Sequence, residues 1–146
     1  MSRLRSALFA AAIIAAPLAG AQAQAIACGG ADLDRVQIPF ATGSSRLGPE
    51  TGDAIQRAAE RARAQNQRVC VFGKASKLGN ADANARLAQA RAQAVADALV
   101  ARGVPRNFIQ TLSQGEGYGG RLGTSSANNA QSDRSAEIAF ITQAGQ

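Results

Sequence analysis

Residues 73–102 read GKASKLGNADANARLAQARAQAVADALVAR, a polar loop that runs into the longest helical pattern of the chain. From Ala81 to Arg102 there is neither Gly nor Pro, and Ala88, Ala92, Val95 and Leu99 share one helical face. Gly103 closes this helix and Pro105 follows as a stop. Just upstream, Val69 to Phe72 is a wholly apolar run between Arg68 and Gly73, the pattern of an interior strand covered on both sides.

Working outward, Val36, Ile38 and Phe40 recur at period two and read as a half-buried strand, with a turn at Thr42-Gly43-Ser44-Ser45. Pro49 suits a first helical turn, and Ile55, Ala58, Ala59 and Ala62 mark the apolar face of a helix ending near Gln65. Ile109, Thr111 and Ser113 suggest a third strand, and Ala136, Ile138 and Phe140 a last one, after a Gly-, Ser- and Asn-rich stretch over 115–132. The order β-α-β-α-β-β predicts an α/β two-layer domain, its helices on one face of a mixed sheet. No internal repeat is present.

The first residues differ from the rest. Arg3 and Arg5, the apolar run Leu8 to Ala16, Pro17 and the small-residue stretch Ala19 to Ala25 follow the order of a secretory signal peptide. Ala23, Ala25 and Ala27 each close an A-x-A triplet. A cut after Ala25 divides the chain into a signal at 1–25 and one domain at 26–146. Removing Arg3 and Arg5 lowers the formal charge from +6 to +4, scattered rather than clustered, which suits an anionic neighbourhood but not nucleic acid. No segment has the length of a transmembrane span, and no series of alternating segments predicts a barrel.

Cys28 and Cys70 both survive processing, and an even pair in a small exported domain reads as a disulfide worth about 4 kcal/mol in the chain-entropy account. The alternatives are two unpaired thiols, Cys70 being a small buried hydrophobe, or a lipidated Cys28, for which Ala25-Ile26-Ala27 is a poor signal. The chain has no histidine, which removes His-based triads and His-containing metal sites. Gly115-Glu116-Gly117-Tyr118-Gly119-Gly120 matches G-x-G-x-x-G but has no helix after it to receive a pyrophosphate. Glu50, Asp53 and Glu60 interleave with Arg57, Arg61 and Arg63 as solvated helix pairs rather than as a paired-carboxylate centre. The serines lack a basic partner. These patterns predict no enzyme, no metal and no cofactor.

Arg91 stands out within the long helix. It flanks the apolar stripe, seven residues after Asn84 and on the same face. An arginine there either presents its planar fork to an anion or bonds loop carbonyls, and spacing alone leaves both readings open.

Gly73-Lys74-Ala75-Ser76-Lys77-Leu78-Gly79, then Asn84, Leu87-Ala88, Arg91-Ala92 and Val95, resembles the OmpA-like domain signature with its gaps intact. Phe40 with Gly43 and Ser44, Gly103-Val104-Pro105, Gly115-x-Gly117 and Asp133-Arg134 extend the resemblance over nearly the whole mature chain. It implies a periplasmic β-α-β-α-β-β domain that binds the diaminopimelate of peptidoglycan stem peptides noncovalently, near the cell wall or outer membrane. Its arginine, matched by Arg91, would clasp a ligand carboxylate, with Ser76, Asn84 and Phe40 around the same pocket. The family aspartate that would hold the ligand ammonium falls at Ser76, which carries no charge. Ala75, Ala88 and Ser135 also depart from the pattern, and Lys74 and Lys77 would repel an ammonium. The resemblance therefore implies weakened or altered peptidoglycan association. The alternative is a scaffold that kept the fold and serves as a periplasmic protein-protein module.

Overall fold

A computed structural model describes residues 28, 33–76, 79–114 and 132–141. The signal segment and the G-x-G-x-x-G stretch lie outside them. The elements run β1 (Arg35–Pro39), α1 (Gly52–Ala64), β2 (Arg68–Lys74), α2 (Ala81–Ala101), β3 (Ile109–Gln114) and β4 (Ser135–Ile141). A 3-10 turn, Pro49–Thr51, leads into α1, and Asn80 caps α2 through its side-chain oxygen, which accepts from Ala83 N at 2.8 Å. No helix among the described residues is long and apolar enough to cross a membrane.

The sheet is four-stranded in the order β1-β4-β2-β3. β2 and β3 are parallel; β4 runs antiparallel to both β1 and β2. Its interior place explains why β2 reads as continuous apolar sequence: Val69, Cys70, Val71 and Phe72 are all buried, alternately on the two faces. On one face Ile38, Val69, Val71, Ala136, Ile138 and Phe140 form a single core with Ile55, Ala58, Ala59 and Ala62 of α1 and Ala92, Val95 and Leu99 of α2. The fold is thus the two-helix, mixed-sheet α/β sandwich that the periodicities predict.

Gly73 sets how closely α2 approaches the sheet. A Cβ built there would lie 1.8 Å from the carbonyl oxygen of Ala88. Only a glycine lets the end of β2 and the start of the buried helix face meet, and that contact places Lys74 beneath Arg91.

The opposite face carries a smaller cluster of Cys70, Phe72 and Ala139, with Cys28, Leu33, Leu112 and Ile141 packed against it. Cys28 is bonded to Cys70, Cα to Cα 5.8 Å, which ties that residue to β2 on this face. While that bond stands, the Cys28 sulfur is unavailable for a lipid thioether. Beside the cluster, Glu137 accepts from Arg35 at 2.9 Å and from Lys74, and the Arg35 guanidinium lies 5.5 Å from the Phe72 ring centroid. Burial pushes the Glu137 carboxyl up, but the Lys74 and Arg35 contacts outweigh it and hold the group below its ordinary range.

Two outcomes follow. Gly73→Ala should lower the urea unfolding midpoint by an amount equivalent to about 1–3 kcal/mol, since a backbone oxygen is in the way; an unchanged midpoint would contradict the close packing. A carboxyl with a lowered folded pKa contributes stability above its unfolded pKa and loses it as pH falls through the folded one. Glu137→Gln should therefore be less stable than wild type at neutral pH, with the gap closing below about pH 4. A gap independent of pH would contradict the ion-pair account.

Candidate functional site

Arg91 projects from the sheet-facing side of α2, and it is 1% exposed. Its Nε donates to Ser44 O at 2.9 Å, Nη1 to Lys74 O at 2.7 Å and to Asp133 O at 3.1 Å, and Nη2 to Ala41 O at 3.2 Å. A guanidinium has five N–H groups. Four are spent on backbone carbonyls, and one on Nη2 remains. The acceptors come from the loop after β1, the end of β2 and the turn before β4, so one side chain ties three segments far apart in sequence.

Phe40 lies below it, 6% exposed, with its ring centroid 5.4 Å from the guanidinium carbon. Phe40 N donates to Arg134 O at 2.8 Å, which fastens the turn before β4 onto the end of β1. Arg134 itself reaches Thr42, Nη1 to Oγ1 at 3.5 Å. Burial, and then the nearby Arg134 charge, lower the pKa of Arg91. Among the described residues no carboxylate bonds the Arg91 guanidinium; carbonyl dipoles and the Phe40 ring surround its charge.

Of the two readings left open for Arg91, the structure displays the carbonyl-bonding one. A two-pronged clasp of a ligand carboxylate, as the family resemblance implies, would require carbonyl bonds to be given up. What the corner offers as it stands is a buried positive charge and a single N–H. Ser76 is half-buried in the loop from β2 to α2, two residues past the Lys74 carbonyl that Arg91 grips. Asn84 is half-buried in the first turns of α2 and its backbone N–H donates to Asn80 O at 3.0 Å. Phe40 belongs to the core rather than to an open wall.

Lys74 also differs from expectation. Its ammonium does not stand beside Ser76 but turns to Glu137 on the other face of the sheet, because odd and even residues of β2 point to opposite sides. Lys77 lies outside the described residues. Sequence reasoning missed the carbonyls of Ala41, Ser44 and Asp133, which have no side-chain signature, and gave Arg134 no role although its motif was noticed.

A separate cleft of about 280 Å³, lined by Val36, Ala54, Arg57, Ala58, Arg61 and Phe140, contains none of these residues. Its Arg61 is already engaged, 2.8 Å from Asp34 and 4.2 Å above the Phe140 ring. Among the described residues no group of three or more His, Cys, Asp or Glu is placed to hold a metal.

The carbonyl ties generate a prediction. Arg91→Ala should cost about 3 kcal/mol in unfolding free energy, because a buried side chain is removed and four carbonyls each lose a donor. Arg91→Lys should recover little, since an ammonium cannot span acceptors arranged around a plane. Stability equal to wild type in either variant, measured by urea unfolding, would contradict the tie.

The fold has counterparts among known proteins. In solved structures the chain resembles the peptidoglycan-associated lipoprotein from Burkholderia pseudomallei, with TM-score 0.62, 23% identity, and coverage of 72% of this chain and 89% of that one. It also resembles the OmpA-like domain of FopA1 from Francisella tularensis subsp. tularensis SCHU S4, with TM-score 0.60, 24% identity and coverage of 72% and 70%. The C-terminal domain of Helicobacter pylori MotB gives TM-score 0.61, 22% identity and coverage of 75% and 86%. At these identities the likeness is one of fold. None of the curated proteins matches the chain. The OmpA family profile matches residues 39–137, which take in every backbone acceptor of Arg91 as well as Arg91 itself, and the chain belongs to the OmpA family.

Proposed function

We propose that this chain is exported to the periplasm and associates noncovalently with peptidoglycan of the diaminopimelate type, through the corner built around Arg91. The observation that carries this reading is a buried guanidinium close to a second one, Arg134, and bonded, among the described residues, to carbonyls and to no acid. A carboxylate drawn to that corner relieves the repulsion between two cations. Membership of the OmpA family supports the ligand class, as does the likeness to a protein whose printed name is peptidoglycan-associated lipoprotein. The disulfide supports an oxidising compartment.

In this reading Arg91 acts less as a grip than as a fixed source of positive potential that also shapes the rim. The neutral Ser76 contributes a hydrogen bond where a charged acceptor would contribute more, so association is weak. Outright loss of wall binding is the second reading, a scaffold serving as a protein-protein module. The spending of four Arg91 donors on the domain's own backbone favours it.

Cosedimentation with purified peptidoglycan sacculi separates the two. Arg91→Ala is unsuitable there, because its fold is compromised. Wild type should be retained, and Ser76→Asp retained more strongly, by up to about one to two decades in affinity. Wild type and Ser76→Asp both remaining in the supernatant would overturn peptidoglycan association and favour the protein-protein module.

A further inference from the structure

A second surface, away from the Arg91 corner, lies where α1 covers the edge of the sheet. α1 carries two stripes. Ile55, Ala59 and Ala62 enter the core, while Ala54, Arg57, Ala58 and Arg61, at i, i+3, i+4 and i+7, line the cleft of about 280 Å³ together with Val36 and Phe140. No residue of α2 lines it, so the cleft opens on the β1 side of the sandwich. The small side chains of Ala54 and Ala58 make the hollow. Its two cations differ. Arg61 is bonded to Asp34 at 2.8 Å and lies 4.2 Å from the Phe140 ring centroid. Arg57 is exposed and, among the described residues, has no ion pair; Glu60, three residues on, accepts from Gln56 at 2.7 Å instead.

β1 is an edge strand, paired among the described residues with β4 alone. Phe140 N donates to Asp34 O at 3.0 Å and Phe40 N to Arg134 O at 2.8 Å, at the two ends of one antiparallel register. Hydrogen-bonded pairs alternate along such a ladder, so Asp34, Val36, Ile38 and Phe40 turn their main-chain groups to β4. Arg35, Gln37 and Pro39 turn theirs outward. Arg35 and Gln37 each offer an N–H and a C=O on that side; Pro39 offers a C=O alone and ends the row of donors. Val36, half-buried, lines the cleft from this same strand.

We propose that this edge and cleft together receive an extended, acidic segment of a partner protein, added as a short strand beside β1. Side chains of a strand alternate between faces, so those turned toward α1 recur about 6.6 Å apart. One of them, large and apolar, fills the cleft against Val36, Ala54 and Ala58, and a carboxylate two residues away meets Arg57. A volume near 280 Å³ lies below that of pockets that enclose a small molecule, and it suits a single aromatic or branched side chain. The chain's formal charge of +6 and the unanswered Arg57 disfavour a second copy of this chain and favour an acidic partner. Because Pro39 keeps the pairing short, the anchor and the carboxylate carry the selectivity. The surface shares no residue with the Arg91 corner, and the proposal stands whether or not the chain binds peptidoglycan.

The probe is the synthetic peptide acetyl-Thr-Asp-Thr-Phe-Thr-Asp-Thr-amide, in which both Asp side chains share a face with Phe. It is titrated to millimolar concentration against the oxidised protein and followed by the backbone amide resonances. The N–H signals of Arg35 and Gln37 should move downfield, and by more than those of Val36 and Ile38, whose N–H groups already bond β4. The same peptide with Ala in place of Phe should bind roughly tenfold more weakly. Arg57→Glu, a change at an exposed position, should weaken the Asp peptide roughly fivefold and favour a version with Lys in place of Asp. Unmoved Arg35 and Gln37 signals, or an affinity indifferent to the Ala peptide or to Arg57→Glu, would overturn the proposal. So would the same shifts on raising the protein concentration without peptide, which assign the edge to a second copy. Tighter binding of dodecanoate than of the peptide at this cleft would overturn it as well, in favour of a lipid chain.

Discussion

Four backbone carbonyls converge on one guanidinium, and the upper end of the sheet is organised by that convergence. Without Arg91 the carbonyls of Ala41, Ser44, Lys74 and Asp133, in the loop after β1, at the end of β2 and in the turn before β4, would each lose a donor. The helix supplies the donor because Arg91 lies on the same face as Ala88, Ala92 and Val95, the small and apolar residues that bring α2 against the sheet. Gly73 allows this closeness. The corner's charge follows from its architecture: among the described residues the guanidinium is bonded to backbone carbonyls and to no acid.

The two faces of the sheet solve different problems. The helical face has an ordinary apolar core. On the other face no helix packs among the described residues; Cys28, Leu33, Leu112 and Ile141 lie against its apolar cluster, beside the Arg35, Glu137 and Lys74 side chains. Drawing Lys74 to that side takes its charge away from the loop that leads to Ser76. The positive potential at the corner therefore comes from Arg91 and Arg134.

Much of this was legible in residues. The alternation of Val36, Ile38 and Phe40, the apolar run at Val69 to Phe72, and the gapless pattern from Ala81 to Arg102 each encode an element through burial, which periodicity reports directly. Gly73 was visible as part of a motif, but not its reason, since the carbonyl of Ala88 that excludes a side chain belongs to another element. Arg91 was visible as an anomaly on an apolar face. Its partners were not, because they are main-chain oxygens contributed at 41, 44, 74 and 133, and a carbonyl looks the same under every side chain. Phe40 was placed around the pocket by the family resemblance; its packing in the core, 6% exposed, needs the fold. Asp133 was noticed only as motif. The place of its carbonyl on Arg91 needs the fold.

The central claim is that Arg91 is a buried, backbone-tied cation at the corner where peptidoglycan is received. Its side-chain Nε–H resonance reports on both halves of that claim. In the ligand-free protein the account predicts a resolved Arg91 Nε–H that exchanges with solvent far more slowly than those of exposed arginines such as Arg57 and Arg86, and that shifts on addition of a soluble muropeptide. An Arg91 signal exchanging as fast as theirs, or one left unmoved by saturating muropeptide, would contradict it.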